Sequence, residues 1–74
     1  MNIPKQQIEH IVGNLHASTS DEEVRERVES LARNQVERGV EGWKVKHIKL
    51  CGDFAVETHR KNQELYLRVM RGGF

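Results

Sequence analysis

The chain has little of what small proteins use to staple themselves or to hold a ligand. One cysteine, Cys51, in 74 residues excludes an intrachain disulfide, and with it the stapled frameworks of small secreted domains. No stretch approaches the roughly 18 consecutive apolar residues of a membrane-spanning helix. Net charge is small: Lys+Arg 12 against Asp+Glu 11 gives +1. The pI of about 8.0 lies below the value above about 9 expected of a dedicated nucleic-acid-binding domain. Hydrophobic residues make up only 36%, so the core is thin. A chain of 8.6 kDa buries only about 60% of its unfolded surface. A deep catalytic cleft, a dinucleotide fold and a second domain are thereby excluded, and residues 1–74 read as one small domain. Met1-Asn2-Ile3-Pro4-Lys5 has no apolar run of the signal-peptide kind, and the expected compartment is the cytoplasm.

What is present is helical patterning. In the segment 3–17, Ile8, Ile11, Val12 and Leu15 follow i, i+3, i+4, i+7 and make one apolar face. Pro4 suits the first turn, and Gly13 either weakens this helix or lets a neighbour approach closely. Ser20, followed by Asp21, Glu22 and Glu23, has the form of a capping box, with Ser20 as N-cap and Glu23 three residues on. Three acids in the first turn suit the positive end of the helix dipole. This second helix is expected to reach Arg38, with Gly39 ending it. It carries a narrow stripe of Val24, Val28, Leu31, Ala32 and Val36. Asp21–Arg25, Glu23–Arg27 and Glu29–Arg33 stand as acid-before-base i, i+4 pairs.

Beyond the linker Gly39–Gly42 two readings stay open. As a helix, Ile48, Cys51, Ala55, Thr58, Asn62, Leu65, Tyr66 and Val69 share one face, with a kink expected at Gly52 and Asp53 capping a second section. As strands, Trp43–Leu50, 54–58 and 65–69 alternate, with Gly52-Asp53 as a hairpin turn. The helical reading is favoured. Residues 71–74 read as a flexible tail.

His59-Arg60-Lys61-Asn62-Gln63-Glu64-Leu65-Tyr66-Leu67-Arg68-Val69-Met70 has the form H-x-x-N-x-x-L-Y-x-x-V-M. This ending resembles that of small uncharacterised proteins from bacteriophages and mobile elements. The resemblance covers about a sixth of the chain. It implies a helical C-terminal segment and a phage origin, and brings no catalytic or binding residue with it.

Chemistry-bearing residues are few. Among His10, His16, His47 and His59, only His47 stands four residues from Cys51, a spacing that presents two zinc ligands. No third ligand accompanies them, and no metal or cofactor is expected. A nucleophilic Cys51 would draw on His47 and Lys49, but its place on the apolar stripe marks a core cysteine. Lys44, Lys46, Lys49, Arg60, Lys61 and Arg68 give the C-terminal half a positive character that suits a phosphate backbone. Trp43, Leu65, Tyr66 and Val69 are the candidate anchors of a protein interface.

The expected fold is mainly α: a small three-helix arrangement with a long or kinked C-terminal helix. The alternative is α+β, two helices followed by a small antiparallel meander. The expected function is a non-enzymatic protein-binding module, a phage or mobile-element accessory protein acting by steric contact with a host or phage protein. A homodimer is expected, formed around Leu65, Tyr66 and Val69. The alternative is a small nucleic-acid-binding regulator using the basic C-terminal half.

Overall fold

Three α-helices and one short 3-10 turn follow one another: α1 (Lys5–Gly13), α2 (Asp21–Glu37), the turn Val45–His47, and α3 (Ile48–Met70). They come from a computed structural model that describes residues 3–71. The fold is mainly α, with no strand among the described residues. The α+β alternative is therefore set aside. Of the expected strand 43–50, residues 45–47 form the 3-10 turn and 48–50 enter α3, because Ile48 and Cys51 continue the stripe of Ala55 and Val56 and tertiary burial outweighs local propensity.

α1 is shorter than the periodicity predicts. Its last turn tightens, with the Asn14 and Leu15 amides donating to the Ile11 and Val12 carbonyls. The Asn14 side chain donates to the His10 carbonyl at 3.0 Å and so satisfies a terminal acceptor. α2 starts at the expected N-cap, where Ser20 Oγ accepts from the Glu23 amide at 3.2 Å. The Glu23 carboxylate faces Arg27 at 3.7 Å. The other end closes in a Schellman motif. Gly39 takes φ 73°, its amide donates to the Val36 carbonyl, and the Val40 amide donates to the Gln35 carbonyl at 3.0 Å.

Ile8 and Val12 from α1, Val24, Val28 and Ala32 from α2, and Cys51, Ala55 and Val56 from α3 form the core, closed at one end by Trp43. Trp43 is 5% exposed. This corrects its expected place as an interface anchor, because the chain's own core already takes up the indole. Its Nε1 has no hydrogen-bond partner, so apolar area is what holds it there.

α2 and α3 run antiparallel. Arg25 of α2 reaches Asp53 of α3 at 2.6 Å, and Asp21 reaches Arg60 at 2.7 Å. These pairs replace the expected Asp21–Arg25 pair, because each side chain finds a partner across the helix interface. Glu23–Arg27 and Glu29–Arg33 form as expected, at 3.7 and 3.8 Å. α3 is one helix of 23 residues, about 34 Å long, and it passes through Gly52 without a break. Gly52 is buried against Glu29 and Arg25, whereas nothing approaches the position of a Gly13 Cβ. The close helix approach thus belongs to Gly52 and not to Gly13. Asp53 lies within α3 and pairs with Arg25 instead of capping. The unbroken α3 makes the molecule 45 Å long and 20 by 16 Å across.

Candidate protein-docking surface

The segment between α1 and α2 marks where the two-helix layer ends, and three polar contacts seat it and the first residue of α2 on α3. His59 Nε2 bonds the Thr19 carbonyl at 2.9 Å. Gln63 Nε2 donates to the Ala17 carbonyl at 2.6 Å. Arg60 donates through Nε and Nη2 to the Asp21 carboxylate. His59 is 1% exposed, so its ring fills the bottom of the core while one nitrogen satisfies a loop carbonyl.

α3 continues for about two turns beyond Gln63, past the contacts that hold the α1–α2 segment. Leu65 (57% exposed), Tyr66 (51%), Leu67 (54%), Val69 (57%) and Met70 (67%) lie on this end. At 3.6 residues per turn, Tyr66, Val69 and Met70 fall on the same face as Cys51, Ala55, Val56 and His59. Leu65 and Leu67 flank them, and the apolar arc spans about 200°. The core stripe of α3 is therefore longer than the layer that covers it. The opposite side carries Lys61, Glu64, Arg68 and Arg71, with Lys61 paired to Glu57 at 3.5 Å and Arg68 to Glu64 at 3.7 Å.

Beside Tyr66 the surface is concave. Val12, Gly13, Leu15, His16 and Ala17 on one side, and His59, Asn62, Gln63 and Tyr66 on the other, enclose a groove. A second hollow shares His16, Ala17, Gln63 and Tyr66 and extends to Leu67. The apolar end of α3 and the groove at its base form one continuous surface.

The structure thus brings Leu65, Tyr66 and Val69 together and takes Trp43 away into the core. The six basic residues do not form one patch. Arg60, Lys61 and Arg68 each face a carboxylate. Lys44, Lys46 and Lys49 lie exposed at the start of α3, the far end of the molecule from Arg68. Cys51 is 2% exposed, and burial pushes its thiol pKa up, which suits a core thiol and opposes a thiolate. Among the described residues no group of three metal-ligating side chains occurs, and no helix is long and apolar enough to cross a membrane. The structural roles of His59 and Gln63 are not evident from composition. Their signal is positional: His59 stands four residues after Ala55, and Gln63 four after His59, on the buried stripe. The flexible tail expected at 71–74 lies, beyond Arg71, outside the described residues.

No family model matches the chain, and comparison with curated proteins and with solved structures gives no match either.

Proposed function

We propose that the chain is a non-enzymatic protein-binding module that acts by steric contact through the free end of α3. The observation that carries this reading is the run of five large apolar side chains, Leu65, Tyr66, Leu67, Val69 and Met70, each at least half exposed on one helix end. Scattered exposed apolar residues are ordinary, but a contiguous patch marks an interaction surface. An aromatic at its centre and charges confined to the far side match the usual anatomy of a protein interface. The resemblance of residues 59–70 to phage and mobile-element proteins supports an accessory or regulatory role in such an element.

The test is affinity capture with the tagged protein and with a Leu65→Glu/Val69→Glu variant, identifying retained proteins and nucleic acids alike. A protein retained by the first and lost by the second is the expected result. Retention of the same proteins by both overturns the reading. Retention of nucleic acid, with affinity falling steeply between about 50 and 200 mM salt, replaces it with the basic-surface alternative.

A further inference from the structure

We infer that the occupant of this surface is a second copy of the chain, its α3 end packed antiparallel across a two-fold axis near Tyr66. The inference rests on reading the α3 end as a docking surface and names what docks there. Three observations support it.

The first is area. The chain exposes 5563 Å², whereas a compact monomer of its mass exposes about 4,700 Å². The difference is close to the roughly 800 Å² per partner that a standard protein interface covers. Five large apolar side chains at the α3 end, each at least half exposed, contribute to that surface.

The second is shape. The groove lined by His16, Ala17, Asn62, Gln63 and Tyr66 lies one turn before the bare tip at Val69 and Met70, on the same helix face. With a two-fold axis at Tyr66, residue 70 of one copy falls opposite residue 62 of the other, and residue 69 opposite residue 63. Each tip then enters the other's groove, and one contact covers both features twice. A parallel pairing sets tip beside tip and leaves both grooves empty. It also drives the two α1–α2 layers into the same space, since they cover this same face from Gly52 to His59. The antiparallel arrangement is isologous and closed.

The third is charge. Lys61, Glu64, Arg68 and Arg71 lie on the far side of the helix by the 3.6-residue period. Pairing along the apolar face leaves them in water, so it carries no desolvation penalty for charge.

Sedimentation equilibrium on the full chain from below 1 to about 100 µM tests the pairing, together with disulfide trapping. The expected mass rises to twice 8.6 kDa. Tyr66→Glu, with its helical circular dichroism retained, weakens association at least tenfold. An Asn62→Cys protein mixed with a Met70→Cys protein gives a mixed disulfide faster than either gives a disulfide alone. A single species of 8.6 kDa throughout overturns the pairing, as does faster trapping of each variant with itself, the mark of a parallel dimer. A monomer that still captures a protein in a Leu65- and Val69-dependent way shows that the docking surface is real and that its occupant is another protein. A monomer that captures nothing overturns both readings.

Discussion

Gly52 of α3 lies directly against the side chain of Glu29 of α2. A Cβ on Gly52 would stand 2.6 Å from Glu29 Oε2 and 2.9 Å from its Cγ, with Arg25 Cγ at 3.1 Å. The absent side chain is therefore what leaves room for the Arg25–Glu29 pair along α2 beside the Arg25–Asp53 pair across to α3. Alanine at this position gains about 1 kcal/mol of helix propensity but forces Glu29 out of place, at about 1–3 kcal/mol. Gly52→Ala is expected to destabilise by about 1 kcal/mol. In a Glu29→Ala background the same substitution is expected to stabilise, which chemical denaturation of the four proteins of the cycle reads out.

The cap on α2 makes a second prediction. Ser20 Oγ accepts from the Glu23 amide, and Ser20→Ala should cost about 1 kcal/mol while Ser20→Asp should cost little. Equal melting temperatures for wild type and Ser20→Ala would show that the cap contributes nothing.

Trp43 separates area from hydrogen bonding. Its indole is buried while its Nε1 has no partner. Trp43→Phe should therefore be tolerated far better than Trp43→Ala, which removes a large core side chain at about 3–5 kcal/mol. Urea unfolding of the two variants measures the gap, and similar losses for both would mean that the nitrogen matters.

Cys51 gives a pH dependence. Burial raises its thiol pKa, so the folded state keeps its proton where the unfolded chain has lost it. The contribution to stability is full below the unfolded thiol value of about 8.5 and is lost as pH rises through the folded value. Melting temperature should fall as pH rises above the unfolded thiol value of about 8.5, and less so in Cys51→Ala. Alkylation of the native protein should be slow and should accelerate in urea, as expected of a core thiol.

Much of this arrangement is legible in the sequence because it is periodic or local. The stripe Val24–Val28–Ala32 follows from helical spacing, and the Ser20 and Gly39 boundaries follow from capping chemistry. Leu65, Tyr66 and Val69 are readable as one face for the same reason. What is not legible depends on a partner helix distant in sequence. Gly52 reads as a break until Glu29 is seen against it. Arg25 and Arg60 have equally plausible local partners and take distant ones. Trp43 reads equally as anchor or core, since only the closing of α2 and α3 decides which. Nor does periodicity reveal where the cover on α3 stops, because α1 and α2 set that limit and the stripe continues unchanged.

That limit leads to the last prediction. Beyond Gln63 the apolar side chains of α3 are at least half exposed, and the Glu64–Arg68 pair at 3.7 Å contributes only a few tenths of a kcal/mol. Two isolated helical turns are not stable in water. In dilute solution the amides of residues 66–70 should therefore exchange by local opening, orders of magnitude faster than those of Ala55 and Val56, whose protection follows global unfolding. Raising the concentration adds the packing that a second copy supplies, and the same amides should then slow by mass action while those of the core stay unchanged. Hydrogen exchange followed by NMR at two concentrations separates the cases. Fast and concentration-independent exchange at 66–70 marks an end waiting for a different partner. Strong protection at every concentration would mean that α3 is stable there unaided, and that the apolar arc is not what orders it.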